Sequence, residues 1–444
     1  MGSDQAIKVG IRFEDKSEWE RRVPIIPVHT KTLQAHGLSF LVEPSEHRTY
    51  SDDRYRQAGA EVTPDLSPAK VIFAVKEIPP EKLMAGKTYV FFSHVIKGQL
   101  YNMGLLRRLL DLNCTLIDYE RIANDQGRLV FFGFQAGQAG MIDTLSLLGH
   151  RLQRAGQPTP LAGIRMAHEY EDVAEAKDHI ASVGAEIARA GLSIEDAPLT
   201  FGFTGYGHVS QGAQDIFDLL PHEVVDPDDL ARTVDEQGAV RDRLFKSVLK
   251  KPHLATPIDD DKLFDVREYH AHPHRYRGRL TDYLPYLTTL VNCIYWTDAF
   301  PRFLTREQAQ ELWRSGERKL LVIGDITCDI DGAIELTHKA MHSDLPGYTY
   351  EPRTDTWEDG FEGSGIALLT VDNLPCEIPR DASDLFSQAL LPFVPAIAKA
   401  DYSRPFEKLD LPPEIHRAVV THQGELTPDH RYLEEYLEIA EEMD

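Results

Sequence analysis

The stretch LTFGFTGYGHVSQGAQDIF, residues 199–217, constrains what this chain can fold into more than any other. A β-rich run leads into a Gly205-Tyr206-Gly207 turn, and apolar Ala213, Ile216, Phe217 and Leu220 then recur at helical spacing. This strand–turn–helix order is that of a dinucleotide-binding unit. Gly205 permits the tight turn. Gly207 lets the amides that open the helix, those of His208, Val209 and Ser210, approach a pyrophosphate. Ser210 stands where the third glycine of G-x-G-x-x-G belongs, a position that asks only for a small residue, and Gly212-Ala213 keep the helix face thin. An acid about 20 residues past the turn should accept the ribose hydroxyls. Asp226, after the run EVV, is 21 positions beyond Gly205. A plain glycine turn is the competing reading, and the surrounding strand, helix and acid weigh against it.

With 444 residues the chain exceeds what one core organises, so two domains are expected. Its 42% hydrophobic and 27% charged residues are those of a folded globular protein. Apolar runs such as VIFAV (71–75) and YVFF (89–92) are strand-sized, far short of a membrane span. No basic and apolar leader opens the chain, so a cytoplasmic location is expected. Cys114, Cys293, Cys328 and Cys376 lie far apart without a CxxC pair, which argues against a zinc ribbon or a disulfide framework. With 71 acidic and 47 basic residues the net charge is −24, which repels nucleic acid and anionic lipid. An anionic ligand therefore needs a local cationic pocket.

The first third alternates strand-like and helix-like segments: IKVGIRF (7–13), a helix from Pro27 through His36, SFLVEP (39–44), KVIFAV (70–75), TYVFFSHV (88–95), a helix near 98–112, and CTLIDYE. This is βαβ patterning. Residues 136–155 read as a helix linking two lobes. A second α/β unit runs from LTFGFTG through LLVIGDIT (320–327) to GIALLTVDN (365–373), and 381–400 and 428–442 read as helices. Charge, Pro and Tyr interrupt every periodicity in 226–318, which reads as an irregular insertion. The expected fold is α/β, two Rossmann-like doubly wound domains with a cleft between them: 1–140 plus 375–444 for substrate, and 141–374 for the dinucleotide.

Lys76 ends KVIFAV and His94 ends TYVFFS. Ligands of open α/β sheets bind at the carboxyl ends of strands, so two titratable groups at two such ends form a candidate site. Arg22, in Glu20-Arg21-Arg22, is the cation an anionic substrate needs, whereas Arg21 reads as a solvated loop charge. Asp325 and Asp329 close LLVIGDITCD, and Asp331 lies in the next turn. His270, His272 and His274 in YHAHPHRY match no helical or finger-type ligand set, so a surface loop is expected there and no metal site.

WERRVPIIPVHTK, KTYVFFSHVIKGQ, NMGLL, LIDYE, LTFGFTGYGHVSQGAQ, IYW, FEGSGI and VDNLP together resemble, in order, segments of the lysine–2-oxoglutarate reductase portion of the bifunctional α-aminoadipic semialdehyde synthases, within the alanine dehydrogenase and saccharopine dehydrogenase superfamily. The resemblance implies reductive condensation of L-lysine with 2-oxoglutarate to saccharopine. It also implies that Arg22 grips the oxo-acid carboxylate, that Lys76 and His94 are catalytic, and that Asp329 lies near the nicotinamide. Asp226 would be the ribose acid, with Asp325 and Asn373 on the cofactor side. An acid at the ribose disfavours a 2′-phosphate, yet reductases of this family mostly use NADPH, so NADH and NADPH both stay open. The chain stops before the saccharopine-cleaving domain of the bifunctional enzymes, so a separate dehydrogenase is expected to act downstream. The same catalytic set also serves an alanine-dehydrogenase-like deaminating enzyme, and a non-catalytic nucleotide sensor is the reading from a different class.

Overall fold

A computed structural model describes residues 6–195, 197–316 and 319–443, and the chain divides into two compact units, residues 1–132 with 379–444 and residues 133–378. The expected boundaries at 140/141 and 374/375 fall instead within a helix and a 3-10 turn of the second unit.

The first unit is built on an eight-stranded sheet. Its strands β1 (Ile7–Ile11), β2 (Leu38–Val42), β3 (Glu61–Val62), β4 (Val71–Phe73), β5 (Thr88–Phe91) and β6 (Thr115–Asp118) are all parallel. A small hairpin, β7 (Ala123–Asn124) and β8 (Gly127–Arg128), lies outside the sheet. The central strands are apolar throughout because helices cover both faces of a parallel sheet; β4 and β5 are buried at every residue. Helix α1 (Pro27–Gln34) starts on a proline whose missing N–H costs nothing there. Helix α2 spans Asp52–Gln57. Gly98 has a φ of +65°, so the helix expected from 98 begins only at α3 (Met103–Asp111).

The second unit opens with α4 (Gly133–Arg154) and α5 (Val173–Ala190). Then come β9 (Thr200–Thr204), α6 (His208–Phe217), β10 (His222–Val224), α7 (Leu230–Glu236) and β11 (Leu244–Leu249). After α8 (Lys251–Leu254), a two-stranded hairpin of β12 (Ala255–Pro257) and β13 (Tyr276–Gly278) encloses α9 (Val266–Ala271). The sheet resumes with β14 (Thr289–Asn292) and, after α10 (Arg306–Ser315), β15 (Val322–Asp325), β16 (Gly347–Glu351), β17 (Thr356–Asp359) and β18 (Ile366–Leu369). Its order is β10-β11-β9-β14-β15-β18-β16-β17, parallel except at β16 and β17. Residues 226–318 are thus no insertion throughout: they supply β11 and β14, the two strands flanking β9. Lys246 hid β11 from a hydropathy pattern. It is buried in mid-strand because its ammonium reaches Asp218 at 2.6 Å.

The chain then returns to the first unit with α11 (Pro379–Leu390), α12 (Val394–Lys399) and α13 (Pro413–His416). Strand β19 (Val419–His422) adds antiparallel to β6, β20 (Glu425–Leu426) pairs with β19, and α14 (Leu433–Met443) ends the described chain. That sheet runs β20-β19-β6-β5-β4-β1-β2-β3. The architecture is α/β, with two mostly parallel sheets.

Candidate active site and nucleotide turn

In the first unit the charged groups gather where β1, β4, β5 and β6 end. The loop leaving β1 is tied to the end of β4 by Glu14, whose carboxyl oxygens accept the amides of Val75 (2.7 Å) and Lys76 (2.9 Å). Burial, with Glu20 nearby, pushes the Glu14 carboxyl up to about 8. Farther along the loop, Arg22 is 2% exposed and lies 4.2 Å above the Phe132 ring. Its Nε and Nη2 donate to Glu20 at 2.8 and 2.5 Å, so one side of the guanidinium fork is already engaged.

Lys76 is half-buried, and its Nζ donates no hydrogen bond to a described residue. Burial first, and the Arg22 guanidinium second, hold its ammonium below the ordinary lysine value. The next residue, Glu77, bonds His94 Nδ1 at 2.5 Å and Lys16 Nζ at 2.9 Å. Burial raises its carboxyl, but these two partners outweigh it and hold Glu77 at about 2. An ionised carboxylate only accepts, so Nδ1 of His94 carries the hydrogen and Nε2 is the nitrogen left to exchange a proton. His94 sits in the left-handed region at φ 54°, a conformation a non-glycine residue keeps only when its surroundings impose it. Before it, the Ser93 amide and hydroxyl both bond Asp118 at the end of β6, and burial raises that carboxyl to about 6. The structure therefore brings Arg22, Lys76 and His94 to the carboxyl ends of neighbouring strands in the middle of the sheet. It adds Glu14, Glu20, Glu77 and Asp118, none of which was singled out beforehand, although Glu77 directly follows Lys76 and Glu20 stands two residues before Arg22.

In the second unit Gly205 takes a φ of +75°, donates its amide to Leu249 O at 2.8 Å, and would drive a Cβ to 2.7 Å from Ile294. Gly207 differs. Its backbone is ordinary, and a Cβ there would meet no atom within 4 Å; the glycine keeps open space beside the start of α6, whose first turn no side chain caps. Such an approach fits a pyrophosphate. Ser210 is buried and returns its hydroxyl to Gly205 O at 2.9 Å. The close-packing role expected of a third glycine falls to Gly212, where a Cβ would lie 1.9 Å from Phe134 O, and to Gly137 on α4, where one would lie 2.0 Å from Val209 O.

His208 is exposed and Val209 half-buried in the first turn of α6. Asp325, at the end of β15, is 1% exposed and accepts Asn292 Nδ2 (2.8 Å), Thr327 Oγ1 (2.9 Å) and Thr337 Oγ1 (2.6 Å). Asn292 Oδ1 in turn accepts the Thr204 hydroxyl at 2.8 Å, so Asp325 locks the ends of three strands beneath the turn. Asp329 is half-buried on the loop after β15, and Asn373 immediately precedes the 3-10 turn 374–377 after β18. Asp226 follows β10, the edge strand, and its carboxylate accepts the Asp228 amide at 3.1 Å. The run EVV before Asp226 is β10, and the sheet order places β11 between it and β9. His270 lies on α9 and accepts Lys251 Nζ at 2.6 Å, His272 follows that helix and His274 sits in the next 3-10 turn, so the expected loop is largely helical; among the described residues no group of His, Cys, Asp or Glu is arranged to hold a metal. No described helix is long and apolar enough to cross a membrane.

Residues 10–139 match the alanine dehydrogenase/PNT N-terminal domain and residues 322–429 the C-terminal domain of the same family. The mitochondrial α-aminoadipic semialdehyde synthase of Mus musculus is 38% identical over 448 residues, covering 98% of this chain and 48% of that protein. The Arabidopsis thaliana synthase is 37% identical over 442 residues, 96% of this chain and 41% of its own length. The chain thus spans about half the length of these relatives, or less. Saccharopine dehydrogenase [NAD(+), L-lysine-forming] of Yarrowia lipolytica is 25% identical over 408 residues, 89% of this chain and 93% of that one. Among solved structures, an L-alanine dehydrogenase shares the fold at a TM-score of 0.61 with 16% identity, covering 98% of this chain and all of that one (100%). A transhydrogenase from Sinorhizobium meliloti does so at 0.55 with 15% identity, covering 95% and 100%. With both domains of one family matched in order along it, the chain belongs to the alanine dehydrogenase/PNT family and, over nearly its whole length, is similar to the α-aminoadipic semialdehyde synthases.

Proposed function

We propose that this protein is a lysine–2-oxoglutarate reductase, joining the ε-amine of L-lysine to the keto carbon of 2-oxoglutarate and reducing the resulting imine to saccharopine at the expense of NAD(P)H. The observation that carries the reading is the meeting of a pKa-lowered Lys76, a Glu77-oriented His94 and the Arg22 guanidinium at the carboxyl ends of neighbouring central strands. The similarity to the synthases along the chain supports it.

The chemistry sets the roles. Lysine's ε-ammonium must lose a proton before the amine attacks, and Lys76, whose own ammonium is destabilised, takes it. The carbinolamine then loses its hydroxyl as water, with a proton from His94 Nε2. Glu77 stabilises the charged imidazole and fixes the ring. Arg22, held by Glu20, steadies a carboxylate of the oxo acid. The dinucleotide, when bound, supplies the hydride that converts the imine to a secondary amine. Its pyrophosphate is assigned to the amides opening α6 beside Gly207, with Asp329 and Asn373 on the nicotinamide side. Lysine, 2-oxoglutarate, NAD(P)H and one proton thus give saccharopine, water and NAD(P)⁺.

The test is to incubate the protein with reduced dinucleotide and 2-oxoglutarate, adding lysine or ammonia, and to follow absorbance and product mass. Lysine should give a condensed product that keeps its carbon skeleton. Turnover with ammonia and pyruvate but not with lysine would assign the chain to the deaminating enzymes instead.

A further inference from the structure

In sheets of this type the adenosine ribose lies over the carboxyl end of the strand next to the one carrying the glycine turn. An acid there accepts the 2′-hydroxyl, and a cation there accommodates a 2′-phosphate. Chain order makes β10 that strand, but the sheet makes it β11. Leu249 of β11 is in register with Thr204 of β9, and Leu249 O accepts the amide of Gly205, the first residue of the turn. Strand β10 lies one place farther out and stops early, its last residue Val224 level with Lys246. The cores agree: the side chains of α6 pack on one face of the sheet, whereas Leu230 of α7 and Val225 join Phe245 and Leu249 in the core on the other.

The residues that leave β11 are Lys250 and Lys251. Lys250 is exposed, and no carboxylate of the described residues pairs with either ammonium. Lys251 is half-buried, and its Nζ is held at 2.6 Å by His270 Nε2, an acceptor that is neutral and leaves the lysine charge uncompensated. Asp226 and Asp228 lie on the turn after β10, where Asp226 accepts the Asp228 amide at 3.1 Å and Asp228 the Tyr283 hydroxyl at 3.2 Å, and neither forms an ion pair with Lys250 or Lys251. On a chain of net charge −24, two cations without an ion pair among the described residues at this strand end offer a local site for a phosphate.

We propose that Lys250 and Lys251 read the 2′-phosphate of the dinucleotide, so that this protein selects NADPH over NADH at the end of β11. The proposal rests on the nucleotide reading of the β9–α6 turn given above. A phosphate monoester at this position gains charge-assisted hydrogen bonds that a 2′-hydroxyl cannot replace.

The experiment is calorimetric or fluorescence titration of the whole chain with NADPH, NADH, adenosine 2′,5′-bisphosphate and 5′-AMP, repeated for Lys250→Gln, Lys251→Gln, the double variant and Asp226→Asn. The wild type should bind NADPH and the bisphosphate at least tenfold more tightly than their unphosphorylated counterparts. Each lysine variant should lose roughly tenfold for the phosphorylated ligands only, and the double variant should lose the preference. Asp226→Asn should keep it. Equal affinity for the two dinucleotides, a preference for NADH, or an equal loss for both in the double variant overturns the lysine assignment while the nucleotide turn stands. If neither dinucleotide binds the wild type, the turn reading itself fails and the proposal falls with it.

Discussion

Gly207 and Gly212 lie five residues apart, yet the geometry gives them opposite jobs, which alanine substitution separates. In Gly212→Ala the new Cβ would sit 1.9 Å from Phe134 O and 3.2 Å from the Gln138 amide nitrogen, both backbone atoms that cannot rotate away. Helices α4 and α6 must move apart by more than an ångström. Overpacking of this kind costs typically 1–3 kcal/mol, and a backbone obstacle puts it near about 3. Replacing glycine by alanine within a helix returns about 1 kcal/mol. The net loss of about 2 kcal/mol should lower the melting temperature of the second unit by roughly 4–8 °C. In Gly207→Ala the Cβ meets nothing within 4 Å. Only the weaker N-cap preference is lost, about 0.5 kcal/mol or roughly 1–2 °C. Its effect should fall on the ligand, with reduced dinucleotide binding weakened about tenfold or more because the methyl occupies the approach to the α6 amides. Scanning calorimetry, with the relevant transition recognised by its rise on adding dinucleotide, together with fluorescence titration, measures both. A Gly212→Ala protein melting within 1 °C of wild type, or a Gly207→Ala protein with unchanged affinity, would refute the reasoning.

Lys76→Met and His94→Gln should each lower kcat by about 10²–10⁴-fold with dinucleotide affinity retained; a variant within a few-fold of wild type returns that residue to a structural role. Arg22→Lys keeps the charge but loses the paired fork toward Glu20 and substrate, so the KM for 2-oxoglutarate should rise more than that for lysine; equal changes would remove Arg22 from carboxylate binding. Glu14 has its folded-state carboxyl raised to about 8 from 4.5, so between those values the folded chain holds a proton the unfolded chain has released. This contribution to stability is complete below pH 4.5 and is lost as the pH climbs through 8. The urea midpoint of wild type should therefore fall from pH 5 to pH 8, and that of Glu14→Gln should fall less; parallel slopes would show that Glu14 is ionised in the folded protein.

Lys76, His94 and the 199–217 turn were legible because each rests on local signals: a charged residue ending an apolar run, or glycines between a strand and a helix. Glu14, Glu20 and Glu77 were not. Glu14 earns its place by accepting amides 61 and 62 residues away, and Glu77 by meeting a histidine from the next strand. Long-range hydrogen bonds leave no period in the sequence. Asp226 shows the same limit from the other side. Its spacing from Gly205 obeyed the rule for a ribose acid, but that rule assumes that consecutive strands are neighbours, and β11 intervenes between β9 and β10. Asp325 was legible as a strand-end acid, whereas its three hydrogen-bond donors, from positions 292, 327 and 337, were not.

The sheet of the first unit is finished by residues that leave the ribosome long after its first six strands. Strand β19 covers the flank of β6, and Thr421 Oγ1 reaches both the Leu116 amide and Cys114 O there. Until some 300 further residues have been translated, a nascent chain carries β6 as a bare edge, its backbone donors and acceptors open to any other strand. The second unit, continuous from 133 to 378, has all of its strands in hand well before that edge is closed. Synthesis thus delivers the second unit complete while the unit bearing Lys76 and His94 still waits for β19 and β20, and a ribosome stalled between 378 and 419 releases a product whose exposed β6 favours aggregation over refolding.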